Sequence, residues 1–260
     1  MGKSRHIEDS KENWISFIGK IQTETNKLRL GGAGIPYYRG HYTKEWELIP
    51  DIFRDYMEIS NVYKFECMLA CDFHSLCGQL YENELDDWEM TFEMRHAGLP
   101  TRLLDWTENF ANALFFSIAG KPTLENIGKK RPCIWILDPY KLNKKSYNEQ
   151  SIPESSSLDF YYHQDSEKEW DEIQKKFKGP IAIIPSRAHQ RIFAQKSLFT
   201  VHSNPIPIEK YYRSCVKKIE IPIDCFEDAE LFLFLAGVNY FSLFPDLDGL
   251  GKYLRQRYDL

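Results

Sequence analysis

The sequence lacks most of the features that mark common function classes. No stretch of its 260 residues is long and apolar enough to span a bilayer, and the apolar run at 231–238 is far too short. No long basic run occurs. With a net charge of −5 and a pI of about 5.9, non-specific binding to nucleic-acid phosphates is not expected, which leaves only a local basic groove for such a ligand. There is no paired C-x-x-C, no G-x-S-x-G and no internal repeat. Leu30-Gly31-Gly32-Ala33-Gly34 is glycine-rich. It has neither G-x-G-x-x-G spacing nor the Lys-Ser/Thr of a phosphate loop, so it reads as a loop before a strand. The opening MGKSRHIEDSKENW has no apolar core of a signal peptide, and His6 breaks the myristoylation pattern. The expectation is a cytoplasmic chain with no membrane contact. Cys67 and Cys71 stand four apart, but no His lies at ligand spacing from them. The six cysteines therefore read as reduced, largely buried thiols, and no metal site is expected.

What is present is apolar and aromatic. Hydrophobic residues make up 43% and aromatics 15%, with 15 Tyr and 17 Phe, enough for a sizeable core. The spacing of Trp14, Phe17, Ile18 and Ile21 predicts a helix over 9–28 with Ser10 as its N-cap. A short strand at 35–40 follows and presents Arg39 to one face. Residues 51–94 read as mostly helical, with Phe65, Met68, Leu69, Phe73, Leu76 and Leu80 as an apolar stripe and 82–87 as a solvated turn. Strands are expected at 133–137, 181–185, 199–202 and 216–223, and helices at 111–118, 229–238 and 249–258. Residues 141–178 are the most polar part and read as an exposed excursion. The whole is an α+β fold, a single domain with a mixed, mainly antiparallel sheet and several helices. An N-terminal helix occupies 1–30 and the remaining domain 31–260.

Residues 99–116, LPTRLLDWTENFANALFF, carry the most information. Thr101, Arg102, Asp105 and Thr107 surround an apolar pair, and the second half reads as a helix that Asp105 or Thr107 can cap. Arg and Asp near a helix N-terminus suit a polar or anionic ligand; the same two residues can instead form an Arg102–Asp105 ion pair that stiffens a turn. Upstream, Tyr37-Tyr38-Arg39-Gly40-His41 precedes Trp46, Leu48, Pro50, Phe53 and Arg54. Downstream come Arg191-Ile192 with Gln195 and Leu198-Phe199-Thr200, and then Leu243-Phe244-Pro245-Asp246-Leu247-Asp248-Gly249-Leu250. Asp246 and Asp248 resemble a metal pair but read better as an N-cap and turn before the last helix.

These ordered pieces, with Arg95 to Thr107, resemble the FRG domain family, named for its [F/Y]-R-G triplet. The layout also resembles the ADP-ribosyltransferase fold and its split sheet. That resemblance implies an NAD-type nucleotide as substrate and transfer or release of ADP-ribose. Arg39, Gln195 and Asp105 would be the catalytic residues, and Tyr38, Arg39, Gly40, Thr101, Arg102, Thr107 and Arg191 the binding residues. A planar guanidinium fork suits a phosphate because it donates two charge-assisted hydrogen bonds to one oxyanion. The sequence departs from the enzyme pattern at one point. Gln195-Lys196-Ser197 has Ser197 where a catalytic Glu is expected, and a neutral hydroxyl does not stabilise a cationic ribosyl transition state. Asp105 or Glu220 would have to supply that charge. The resemblance further implies bacterial origin, a role in phage defence or toxicity, and a protein target. The alternative is a non-catalytic module that senses a ligand or binds a protein. Each site residue also has a structural reading: Arg39 at a sheet end, Gln195 closing a turn, Arg191 paired with a nearby acid, and His96 as a packed ring.

Overall fold

A computed structural model describes residues 2–30, 34–55, 59–78, 85–119, 131–158, 179–186 and 190–260. Its centre is one six-stranded sheet in the order β4-β5-β2-β1-β3-β6. The strands are β1 (Tyr37–His41), β2 (Leu103–Thr107), β3 (Cys133–Leu137), β4 (Ile181–Ile183), β5 (Ser197–Val201) and β6 (Val216–Glu220). All the pairings are antiparallel, and an isolated parallel bridge, Glu154↔Ile184, extends β4. The helices are α1 (Gly2–Leu30), α2 (Ile52–Asp55), α3 (Ile59–Cys77), α4 (Asp87–His96), α5 (Phe110–Ile118), α6 (Pro139–Ser146), α7 (Gln190–Gln195), α8 (Ile208–Tyr211), α9 (Phe226–Leu235), α10 (Tyr240–Leu243) and α11 (Leu247–Arg257). The fold is therefore α+β, with a mainly antiparallel sheet. Among the described residues no helix is long and apolar enough to cross a membrane.

The centre of the sheet is its weakest seam. β1 registers with β3 along its whole length, from Tyr37↔Leu137 to His41↔Cys133, and β2 registers with β5 from Leu103↔Val201 to Thr107↔Ser197. Between β1 and β2 the register holds only at Tyr38↔Thr107. Beyond that pair the two halves of the sheet diverge. Backbone groups facing the gap need other partners, because a buried polar group left unpaired is costly.

Strand alternation then distributes the core. Tyr38, Ile134, Ile136 and Ile219 face a cluster completed by Phe17 and Ile21 of α1, α5 and α9. Gly40 on the same face lets α5 cross against β1: a Cβ there would sit 1.9 Å from the Ala113 carbonyl oxygen. Tyr37, Leu104, Trp106 and Trp135 point to the opposite face with Leu48, Leu142 and Ile208. Leu103, Phe199, Val201 and Ile183 pack under Trp88 and Phe92 of α4. Cys77, Cys133, Cys215 and Cys225 are buried, Cys67 is half-buried and Cys71 exposed, and all are free thiols.

Four local expectations need correction. The first helix starts at Gly2, so Ser10 lies inside it rather than at its N-cap; its polar first turns are rich in Lys, Arg and Glu, which form helix without an apolar stripe. In α3 the inward row is Val62, Tyr63, Glu66, Ala70 and Cys77, while Met68 (65% exposed) and Leu76 (78%) face outward and Leu80 lies outside the described residues. Glu66 is held inward by Arg102, which turns the helix away from its most apolar stripe. The cap of α5 is Asn109, whose side chain accepts from Ala111 N at 2.9 Å, because Asp105 and Thr107 belong to β2. The polar segment from 141 is exposed only in part as far as 158. α6, capped by Asp138, buries Leu142, and its Asn143 side chain pairs with both backbone groups of Ala182 in β4; residues 159–178 lie outside the described residues.

Candidate functional site

Where β1 and β2 separate, charged side chains fill the seam. Arg39 Nη1 donates to the Asp105 carbonyl oxygen at 2.6 Å and lies 3.5 Å from its carboxylate. It thereby takes a backbone acceptor at the point where the ladder is missing. Arg95, at the end of α4, grips the same carboxylate through Nε (3.0 Å) and Nη2 (2.6 Å). Its Nη1 donates to Asp51 at 2.7 Å, and Arg54 stands 3.4 Å from Asp51. Burial pushes the Asp105 carboxyl upward, but the charge and hydrogen bonds of Arg95 and the charge of Arg39 outweigh it and leave Asp105 at about 2.

Two neutral histidines flank this network. Arg39 Nε and Trp135 Nε1 converge on His41, at Nε2 (2.9 Å) and Nδ1 (3.2 Å). A neutral ring accepts at one nitrogen only, so the two donors compete for it. Burial, then the charges of Arg39 and Arg54, hold His41 down to about 2. His202, fully buried, is held down to about 3 by burial and by Arg39. Its Nε2 faces Thr200 Oγ1 at 3.1 Å, a hydroxyl that also accepts from Trp106 Nε1. With both rings neutral, three guanidiniums meet two carboxylates among the described residues, a surplus there of one positive charge. Arg39 Nη2 has no protein partner among the described residues, and its side chain keeps 16% exposure. Trp46, 46% exposed, sets its ring edge-on to His41 at 5.9 Å.

The remaining residues singled out in the sequence divide into near and far. Thr107 adjoins the seam: its hydroxyl donates to the Gln195 carbonyl oxygen at 2.8 Å, and Asn112 donates to the same oxygen at 2.9 Å. The Gln195 side chain donates to the Leu243 carbonyl oxygen at 3.1 Å, tying α7 to α10. Tyr38 points under α1, where its hydroxyl meets Thr25 at 2.7 Å, and Gly40 lies against α5. Thr101 is buried and accepts from Leu103 N. Arg102 does not pair with Asp105, because residues three apart along an extended segment point to opposite faces. It pairs instead with buried Glu66, under the ring of Tyr63. Arg191 donates to Asp246 (2.5 Å) and to the His96 carbonyl oxygen (2.8 Å), and Asp246 caps α11 through Gly249 N. Ser197 is buried in β5 opposite Thr107. Glu220 lies on β6, at the far edge of the sheet from β5, paired with Lys44 and Arg131.

Sequence reasoning did not assign roles to His41, Asp51, Arg54, Arg95 and His202. His41, Arg54 and Arg95 stand inside the stretches that carried the resemblance, and that adjacency was the available signal. Among the described residues no group of three or more His, Cys, Asp or Glu comes together to hold a metal ion. The model of the FRG domain family matches residues 35–126, which contain Arg39, His41, Asp51, Arg54, Arg95 and Asp105. No curated protein and no solved structure matches the chain.

Proposed function

Because the chain carries an FRG domain over residues 35–126, and the seam network lies wholly within it, we propose that this network is a nucleotide-binding site. Arg39 takes a phosphate of an NAD-type ligand. The observation that carries the reading is the Nη2 edge of Arg39, unpaired among the described residues, in a cluster that carries one surplus positive charge among them. A guanidinium fixed by Asp105 and His41 needs little reorganisation to accept an oxyanion, and its partial burial strengthens the interaction. The exposed ring of Trp46, edge-on to His41, offers a face for the base or the ribose.

ADP-ribosyl transfer is the finer form of this proposal, and an NAD-consuming defence or toxin effector acting on a protein would be its biological use. Transfer needs a carboxylate against the developing ribosyl cation. The described seam offers Asp105, already bound by Arg39 and Arg95, and Asp51, already bound by Arg95 and Arg54. Ser197 and Glu220 do not supply that charge at the seam. This favours a second reading, a ligand-sensing module that binds without turnover. A thermal-shift screen with NAD, ADP-ribose, ATP and short RNA, followed by NAD-loss detection on any hit, separates the cases. Stabilisation by NAD and ADP-ribose with no NAD loss supports the sensing module, and NAD loss supports transfer. Absence of any nucleotide shift refutes the site.

A further inference from the structure

β6 ends the sheet on one side, and its outer edge has no neighbouring strand among the described residues. Its register with β3 decides which backbone groups face outward. The Cys215 carbonyl oxygen accepts from Asp138 N at 2.8 Å, and Ile221 N donates to the Pro132 carbonyl oxygen at 2.9 Å. The odd-numbered residues of this stretch therefore turn toward β3. The N–H and C=O groups of Lys218 and Glu220 point to the open edge, and they have no partner among the described residues. The Lys218 side chain does not guard that edge. It folds inward, where Nζ donates to the Lys44 carbonyl oxygen at 2.7 Å and sits 4.6 Å from the centroid of the Trp135 ring on β3.

A groove of about 650 Å³ lies between this strand and α1, lined by Ser16, Gly19, Lys20, Thr23 and Glu24 and by residues 217–220. Gly19 opens its α1 wall. A Cβ there would meet nothing within 4 Å, so no packing inside the chain calls for a glycine, which weakens a helix interior. The acids of the groove are already held, Glu24 by Lys27 at 2.7 Å and Glu220 by Lys44 at 3.1 Å. Its remaining bases are free: Lys20 and Lys217 have no partner among the described residues. Lys217 shares the α1 face of β6 with Ile219.

We propose that the open edge of β6 takes an acidic, extended segment of another protein as a seventh strand, with alternate carboxylates turned into the groove against Lys20 and Lys217. Strand addition satisfies the outward main-chain groups of Lys218 and Glu220. The two free lysines set the sign of the side chains that enter the groove. A second copy of this chain, paired edge to edge, brings the same two lysines and no free acid of the groove to meet them. A nucleic acid would match the lysines but not the alternating donors and acceptors of the strand edge. β3 stands between β6 and the Arg39 strand, so this proposal is independent of the nucleotide reading.

Fluorescence anisotropy of the full chain with a short fluorescein-labelled peptide of alternating Glu and Val tests it. The expected result is saturable binding that weakens as salt rises, and no binding of the matching Lys-Val peptide. Lys20→Glu with Lys217→Glu weakens binding about tenfold or more. Gly19→Trp, which fills the groove, abolishes it, while circular dichroism stays unchanged and the melting temperature does not fall. In an antiparallel addition the valine amides face β6 and the glutamate amides face away. N-methylation of the valines therefore abolishes binding, and N-methylation of the glutamates leaves it. Failure of the Glu-Val peptide to bind, binding that survives Gly19→Trp, or an equal response to the two methylated peptides overturns the proposal. A short single-stranded RNA that displaces the peptide at lower concentration overturns it in favour of a nucleic acid.

Discussion

Replacing Glu66 by Gln removes the countercharge from a guanidinium that water scarcely reaches. The side chains of Arg102 and Glu66 are 2% and 1% exposed. Glu66 Oε2 accepts from Arg102 Nε, and Oε1 accepts from the Arg102 backbone N at 2.8 Å. Gln keeps the shape and one carbonyl acceptor but removes the carboxylate charge that faces the Arg102 guanidinium, whose carbon lies 5.4 Å from the Tyr63 ring centroid. Breaking a buried pair on one side costs about 3–5 kcal/mol, a large part of the roughly 5–15 kcal/mol that holds a typical domain folded. For a chain of this size that corresponds to a melting temperature lower by about 10 °C. The double variant Arg102→Met/Glu66→Leu should recover most of this loss. Two apolar groups of similar volume replace a buried ion pair at little cost, but the orphaned Arg102 N–H keeps about 1–3 kcal/mol unrecovered. Urea denaturation of the three proteins measures each step. A Glu66→Gln loss below about 1 kcal/mol, or a double variant no better than the single one, refutes the argument that Arg102 is a buried structural charge.

Gly40→Ala should cost about 3 kcal/mol or more, read by thermal melting, since its Cβ would lie 1.9 Å from the Ala113 carbonyl oxygen and α5 would have to move away. The depressed Asp105 carboxyl adds stability that is fully present above its ordinary value of 3.8 and is lost as pH falls through about 2. With 38% of its side chain exposed, solvent screening reduces the contribution to about 1 kcal/mol, and Asp105→Asn should flatten acid unfolding over that window. Asp246→Ala removes both the cap of α11 and the partner of Arg191, for about 1–2 kcal/mol; a double-mutant cycle with Arg191→Ala should show the two losses to be less than additive.

How much of this was legible in the sequence depended on the range of the interaction. Residues whose role is local were readable. The buried run Cys133–Leu137 ends where Asp138 and Pro139 begin a helix, and Asp246 caps α11 as its position suggested. Residues whose role depends on a distant partner were not. Arg102 stands 36 positions from Glu66 and Arg191 stands 55 from Asp246, and neither spacing says which acid each Arg meets. α6 escaped notice because its polar composition conceals a buried Asn143 that serves the backbone of Ala182 rather than solvent. The seam was half legible. Arg39 and Asp105 stood out by residue type, but Arg95 and Asp51 reach them only because α4 and the segment before α2 close over the gap between β1 and β2.

The claim that Arg39 receives a phosphate is tested most directly by calorimetric titration of ADP-ribose into the native chain and into Arg39→Lys, with melting temperatures recorded in parallel. Lysine keeps the positive charge but has no Nη2 edge. The account predicts measurable binding to the native chain and about a tenfold or greater loss in Arg39→Lys, beyond any change in stability. Equal affinity for the two proteins, or no heat with either, would contradict it.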